Sequence, residues 1–172
     1  MLYKVVEYFG PNSKDKWDNY IEWSGLNWLK SFDSVDGLLR PSLFEPHTEE
    51  DWANCVKENF IINYINNVDY ALEIYNTCEN GILVGMDLIR NAEYMPSKDI
   101  IGYDILDECN DISLLTNWGK SGDYPYDRKV IKENGLIKDK DTSIQIRDQL
   151  RQMLDGDHHS KECKVWAIYH IK

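Results

Sequence analysis

The chain has 172 residues, 30 of them acidic and 19 basic, so its formal net charge at pH 7 is −11. Apolar residues make up 42% and aromatic residues 12% of the chain. This composition excludes a disordered acidic tail and predicts one folded domain, residues 1–172. The excess of acids also argues against binding to nucleic acid, whose phosphates require basic residues.

The negative charge is concentrated in one part of the chain. Residues 31–111 carry 17 acids and 4 bases, whereas residues 1–30 carry 4 of each. The remaining residues, 112–172, hold 9 acids and 11 bases. A segregated charge of this kind focuses a negative potential, which attracts cationic partners and accelerates their encounter. The sequence therefore predicts a basic protein partner.

Two features of the sequence predict a cytosolic protein without membrane contact. Glu7 interrupts the first apolar run, so the apolar core of a signal peptide is missing, and no stretch approaches about 18 apolar residues. The cysteines Cys55, Cys78, Cys109 and Cys163 are widely spaced without a C-x-x-C pair. In a reducing cytosol such cysteines are expected to be free thiols.

The beginning of the chain predicts a strand and then helical segments. Residues 2–9 are rich in β-branched and aromatic side chains and stop at Gly10-Pro11, which is typical of a strand followed by a breaker. Apolar residues then recur at helical spacing over residues 17–29, where Ser24-Gly25 divides the pattern into two short helices. Residues 35–39 fit either a short strand or an ordered loop.

A further helix is predicted after Thr48. Thr48 and Asp51 have the spacing of a capping box, in which the hydroxyl oxygen accepts a hydrogen bond from a backbone N–H of the first helical turn. Apolar residues at helical spacing continue the pattern over residues 52–65.

The period of the apolar residues then changes to two. Residues 68–75 alternate, and Asn80-Gly81 separates them from a second alternating run at residues 82–88. Two alternating runs around an Asn-Gly pair predict a β-hairpin.

The second half of the chain adds two strands and two helices to the prediction. Residues 99–106 alternate like a strand, and residues 163–171 are apolar on both sides, which is typical of a central strand. Between them, a surface loop is expected at residues 120–126, a short helix at 126–134 and an amphipathic helix at 141–155, each helix closed by the following glycine. The sequence thus predicts an α+β domain with a mostly antiparallel sheet, a central β-hairpin and several flanking helices.

The strongest metal candidate is the group Asp157, His158, His159, Glu162 and Cys163, because imidazole and thiolate groups suit zinc. Their spacing matches no standard zinc pattern, and adjacent side chains in a polar turn point apart. We therefore expect a solvated turn, with no metal and no cofactor.

Cys163 is also the best candidate for a cysteine nucleophile, since His159 and His170 are close in sequence. On a strand, however, Cys163 shares a face with Val165 and Ala167, which predicts a buried core residue. The sequence contains no G-x-S-x-G, P-loop, G-x-G-x-x-G or H-E-x-x-H motif. No catalytic residue is predicted.

An acidic cluster overlaps the strand at residues 99–106 and extends beyond it. It fits a solvated loop, a partner-binding surface or a site for calcium or magnesium. Aromatic residues flank the cluster, as anchors do at many interfaces, although their apolar neighbours also support a core position. The candidate partner-binding residues are Tyr103, Asp104, Asp107, Glu108, Asp111 and Trp118.

Basic residues concentrate between positions 128 and 151, where seven lysines and arginines would suffice for a local patch. Asp127 directly precedes this segment, and four further acids are interleaved within it. This segment is therefore predicted to be a mixed, solvated face rather than a nucleic-acid site.

Four segments of the C-terminal half resemble small bacterial proteins, some of which are similar to immunity proteins of polymorphic toxin and contact-dependent inhibition systems. The segments are residues 102–107 (GYDILD), 111–117 (DISLLTN), 135–137 (GLI) and 165–169 (VWAIY). The resemblance implies a small, acidic, single-domain cytosolic protein that neutralises a toxin by covering its active site. It assigns no role to any single residue.

These observations lead to one hypothesis and two alternatives. The hypothesis is a toxin-neutralising protein whose acids contact a basic partner, the cognate toxin. The first alternative is a small hydrolase-like enzyme in which two carboxylates of an acidic cleft act as general acid and base. The second is a regulatory subunit for a basic protein unrelated to toxins.

Overall fold

A computed structural model describes residues 1–56, 63–91, 93, 95–96, 99–153 and 158–171, of which 158 and 159 are described by their backbone alone. The strands are β1 (Leu2–Glu7), β2 (Gly81–Leu88), β3 (Gly102–Leu106) and β4 (Lys164–His170). The helices are α1 (Asp15–Ser24), α2 (Glu49–Asn54), α3 (Val68–Thr77), α4 (Lys140–Arg151) and α5 (His158–Lys161), with 3₁₀ turns at Pro11–Ser13 and Arg128–Val130.

The four strands form one sheet in the order β1-β2-β4-β3, and every neighbouring pair is antiparallel. The register places Val5 opposite Leu83, and Asp104 opposite Trp166. The inner strand β4 is buried from Val165 to Tyr169, as its double-sided apolar pattern predicts. The predicted α+β fold with an antiparallel sheet is therefore confirmed.

The two faces of the sheet are covered differently. On one face, α3 packs over Val5 and Leu83, and α4 packs over Ile105 and Val165. The other face carries Val84, Met86, Leu106 and Trp166, together with two polar residues of the strands, Lys4 and Asp104. Loops cover this second face, so its polar groups must find their partners there.

The predicted β-hairpin is wrong, because residues 68–75 belong to helix α3 and β2 pairs with β1 and β4. The apolar residues of this segment fit both the alternation of a strand and the spacing of a helix. Its alternation suggests a strand, but Ala71, Ile74, Tyr75 and Cys78 also lie at helical spacing and pack in the cluster that contains Val5. The side chain of Asn67 decides the outcome locally, since it accepts hydrogen bonds from the N–H groups of the first turn.

Helix α2 begins at the predicted capping box, where Thr48 Oγ1 accepts from the N–H of Asp51 at 3.1 Å. The predicted continuation to residue 65 is wrong, because α2 ends at Asn54 and Cys55 pairs with Ile65 in an isolated bridge. Residues 57–62 lie outside the described residues.

Two smaller predictions also change, and the open choice at residues 35–39 is decided. Only the first of the two helices predicted for residues 17–29 forms, because Gly25 adopts a left-handed conformation (φ 70°) that closes α1. Residues 126–134 contain one 3₁₀ turn, and residues 35–39 form a loop. The glycine predicted to end α4, Gly156, lies outside the described residues. None of the described helices has the length and apolar content needed to span a membrane.

Candidate functional site

Asp104 is the polar centre of the loop-covered face. Its side chain is fully buried, and each carboxylate oxygen accepts two hydrogen bonds. Ser34 Oγ donates to Oδ2 at 2.7 Å, and Ser113 Oγ donates to Oδ1 at 2.6 Å. Backbone N–H groups of Val35 and Ile105 complete the set. Asp104 therefore fastens two loops, around residues 34 and 113, to the sheet.

Asp36 joins the same network from the first loop. Its Oδ1 accepts from the N–H groups of Leu38 and Leu39, and its Oδ2 accepts from the N–H of Ser113 at 3.1 Å. Ser113 thus bonds both carboxylates. Burial raises the pKa of Asp36 to about 7, and the nearby charge of Asp104 acts in the same direction. Burial also raises the pKa of Asp104.

Asp107 shapes the loop that follows β3. Its Oδ1 accepts from the N–H groups of Asp111 at 2.9 Å and Ile112 at 3.1 Å, which closes the turn around Asn110. Asn110 in turn accepts from Trp166 Nε1 at 3.2 Å through its side chain and from the Tyr64 hydroxyl through its backbone oxygen. The loop is therefore bonded to the sheet at several points and is held in one conformation.

Lys4 and Asp111 connect this interior to the surface. Lys4 is 1% exposed, and its Nζ lies 2.7 Å from Oδ1 of Asp111, whose side chain is 52% exposed. The same ammonium group lies 5.2 Å from the centre of the Tyr64 ring. Gly37 donates its N–H to the backbone oxygen of Asp111 at 2.6 Å. A Cβ at Gly37 would lie 2.4 Å from the Asp111 carboxylate, so a larger residue would displace this pair.

Three of the six predicted contact residues are buried. Asp104 is 0%, Asp107 1% and Tyr103 4% exposed. An enclosed side chain offers no atoms to a second protein, so we leave these three residues out of the proposed contact surface. Asp104 and Asp107 instead bond the loops and Tyr103 fills the core. The predicted residues with exposed atoms are Glu108, Asp111 and Trp118.

Trp118 has a mixed position. It is partly buried against the core and packs on Tyr124, with the ring centres 5.1 Å apart. Arg128 lies over the other ring of this pair, 4.2 Å from the centre of Tyr124. Trp118 thus combines core contacts with exposed atoms, whereas Tyr103 belongs to the core alone.

A second group of acids was missed by the sequence reasoning. Two side-chain hydrogen bonds join helices α2 and α3, since the Tyr70 hydroxyl donates to the Asp51 carboxylate and Asn67 Nδ2 donates to Asn54 Oδ1 at 3.0 Å. Those bonds from Tyr70 and from backbone N–H groups hold the pKa of Asp51 well below its usual range. We define the acidic face as the carboxylates on and beside these helices: Glu45, Glu49, Glu50, Asp51, Asp69 and Glu73.

The acidic face has no basic neighbours in sequence among the described residues, since segments 41–56 and 63–89 contain neither lysine nor arginine. Trp52 lies on α2 within this group and is 52% exposed. The run Glu49-Glu50-Asp51-Trp52 was visible in the sequence, but only as the start of a helix. The bonds that join its helix to the helix of Asp69 and Glu73 could not be predicted from a strand over residues 68–75.

One pair of carboxylates bears on the enzyme alternative. Asp36 and Asp104 are neighbours with raised pKa values, and both are 0% exposed. A substrate would have to displace the loops that cover them. Cys163 is also buried, as predicted, and burial raises the pKa of its thiol to about 11.

The metal candidate at residues 157–163 is only partly described. Asp157 and the side chains of His158 and His159 lie outside the described residues. Among the residues that the structure describes, no group of three or more histidine, cysteine, aspartate or glutamate side chains is arranged to hold a metal ion.

Comparison of the chain with protein-family models, curated proteins and solved structures gives no match. The resemblance to immunity proteins therefore stays a prediction from the sequence, and the function must be argued from the surface itself.

Proposed function

We propose that this protein is a cytosolic acidic binding protein that neutralises a basic protein toxin by covering its active or substrate-binding surface. The observation that carries the proposal is the acidic face, six carboxylates on and beside two hydrogen-bonded helices, with the exposed ring of Trp52 among them. A toxin that holds phosphate groups needs a basic surface, and an inhibitor with this face is complementary to it.

Charge supports rapid association. The acidic face belongs to a region in which acids outnumber bases 17 to 4, so its field extends about 8–10 Å into solvent at moderate salt. Steered encounters of this kind reach on-rates of about 10⁸–10⁹ M⁻¹s⁻¹ at low salt. An inhibitor that must meet its toxin before damage occurs gains from this speed.

Aromatic surface supports affinity. Charges at the rim of an interface contribute mainly to the encounter, whereas buried aromatic anchors supply most of the binding energy. Trp52 is a large apolar side chain that is half exposed next to Asp51. The capping box and the Tyr70 bond fix the helix that carries it, so little conformational entropy is lost on binding.

The loop after β3 supports a second, smaller contact. Glu108 and Asp111 keep exposed atoms, and the bonds of Asp107 and Asn110 fix the loop before any partner arrives. Tyr64, whose neighbour Ile65 pairs with Cys55 directly after α2, donates its hydroxyl to Asn110. We therefore include Glu108 and Asp111 in the proposed contact surface.

The proposal is tested by co-expressing the protein with the product of the adjacent upstream gene, where a cognate toxin would be encoded. Growth inhibition by that product should be relieved, and the two purified proteins should form a complex. Their on-rate should fall at least about tenfold between low and physiological salt, because screening removes the steering.

Two results would count against it. If growth inhibition is not relieved and no complex forms, the upstream gene product is not a toxin that this protein neutralises. A complex whose on-rate is independent of salt would remove the acidic face as the steering element. A complex with a basic product that does not inhibit growth would instead favour the regulatory subunit.

A further inference from the structure

A lysine-rich groove lies apart from the acidic face. One wall is formed by residues 27–30, after α1, and the other by residues 129–133. Backbone bonds from Lys30 and Ser31 to the carbonyl of Glu133, at 2.7 and 3.1 Å, join the two walls. The groove is shallow and open to solvent, with a volume of about 730 Å³.

The groove has an aromatic wall. Trp28 is 38% exposed, and its Nε1 donates to the backbone oxygen of Ile131 at 3.0 Å. That bond fixes the ring, while part of its surface stays open to the groove. A fixed indole with an open surface is a platform on which a planar ring can stack.

The charge of the groove is positive because its lining contains three lysines, Lys30, Lys129 and Lys132, and one acid, Glu133. Glu133 pairs with Lys30 at 2.7 Å, and Asp127, which precedes the groove, accepts from the N–H of Lys129 at 3.0 Å. In the described part of the chain, the ammonium groups of Lys129 and Lys132 form no ion pair. The sequence predicts a mixed, solvated face for residues 128–151, and within that face the groove lining holds two more lysines than acids.

The positive surface continues into a second groove. This neighbour encloses about 380 Å³, shares Lys132 and Glu133 with the first, and adds Lys138. Lys138 likewise forms no ion pair with a described residue. Because the Debye length is about 8 Å at physiological salt, exposed acids beyond that distance weaken this local field only slightly.

We propose that this groove binds a nucleoside phosphate, with the base stacked on Trp28 and the phosphates facing Lys129 and Lys132. An acidic peptide would use the lysines but not the indole surface, and an apolar ligand would use only the indole. A nucleoside phosphate uses both. The ligand is either a free nucleotide or a nucleotide within a single strand, which share this chemistry, and the site is independent of the toxin-binding proposal.

The test is calorimetric titration of the full chain with ADP and, separately, with a short single-stranded oligonucleotide at low salt. Replacement of both lysines, in K129Q/K132Q, should weaken ADP binding by up to about 25-fold, because each exposed charge contact accounts for up to about fivefold. Trp28→Leu should weaken it by about fivefold or more, as expected for loss of base stacking. Tighter binding of ADP would indicate a free nucleotide as the ligand. Tighter binding of the oligonucleotide would indicate a nucleotide within a single strand.

The matched control is K14Q/K16Q, which removes the same charge from another exposed lysine pair and should leave ADP binding within about twofold of the wild type. Urea unfolding of every variant establishes that it is folded. Three results would overturn the proposal: no binding at about 10 mM ADP, an equal loss in K14Q/K16Q, or unchanged binding by a folded Trp28→Leu variant. The last result would indicate a site that binds anions but does not stack a nucleobase.

Discussion

Asp36 and Asp104 share a single donor residue, Ser113, and both are closed off from solvent. Two buried carboxylates so close together cannot both ionise without mutual repulsion and loss of hydration. Their acceptor atoms nevertheless bond the loops around residues 34–39 and 113 to the sheet. The pair is therefore a structural clamp whose strength depends on pH.

The stability of the fold should fall as pH rises from about 4 to about 7. The pKa of Asp36 is raised by burial from 3.8 to about 7, so within this window the folded chain holds a proton that the unfolded chain has released. The favourable contribution is fully present below pH 4 and is lost as pH rises through 7, by about 4 kcal/mol in total. Urea unfolding measured across this range will show the slope.

Asp36→Asn should flatten that slope, because the amide does not titrate. Asp123→Asn, at an exposed loop position, is the control and should retain the wild-type slope. A folded Asp36→Asn variant with an unchanged slope would show that Asp36 is not the group responsible.

Residue identity alone did not predict these roles. The sequence located the acids at 104, 107, 108 and 111, but an acid in a turn and an acid inside a polar core look alike along the chain. One signal was present: Asp104 lies between Tyr103 and Ile105 on a strand next to a doubly buried one. A strand covered on both faces must bury Asp104, whose partners Ser34 and Ser113 are distant in sequence.

At the scale of elements, strands were predicted better than helices. The three segments that became β1, β2 and β4 have strong apolar patterns and clear breakers, and all three formed. Residues 68–77 satisfy both the strand and the helix period, so the pattern could not decide between them. The decision came from the Asn67 cap and from the cluster around Val5 and Leu83, which a single-sequence pattern does not contain.

Asn67→Ala should destabilise the protein by about 1 kcal/mol, because two N–H groups at the start of α3 lose their acceptor. Asn67→Asp, which keeps an acceptor oxygen, should recover most of this loss. Asn76→Ala is the control at an exposed position within the same helix and should be neutral or slightly stabilising. Equal urea midpoints for Asn67→Ala and the wild type would contradict the assigned role of the cap.

On the scale of the whole molecule, the fold decides which charges reach the surface. The composition of residues 31–111 predicts a negative field. It did not predict that three of those acids would be buried or that the exposed ones of α2 and α3 would adjoin. The lysine groove depends equally on the fold, since Lys30 and Lys132 meet across more than a hundred residues.

The central claim is that the acidic face steers a basic partner. It is tested most directly by the on-rate at low salt between the upstream gene product and the double charge reversal E49K/E50K. We expect the on-rate of E49K/E50K to be at least about tenfold below that of the wild type, because two carboxylates of the acidic face become cations. The matched control D18K/E22K makes the same change on exposed positions of α1 and should reduce the on-rate much less. Equal on-rates for the wild type and a folded E49K/E50K variant, or equal reductions in both variants, would contradict the claim.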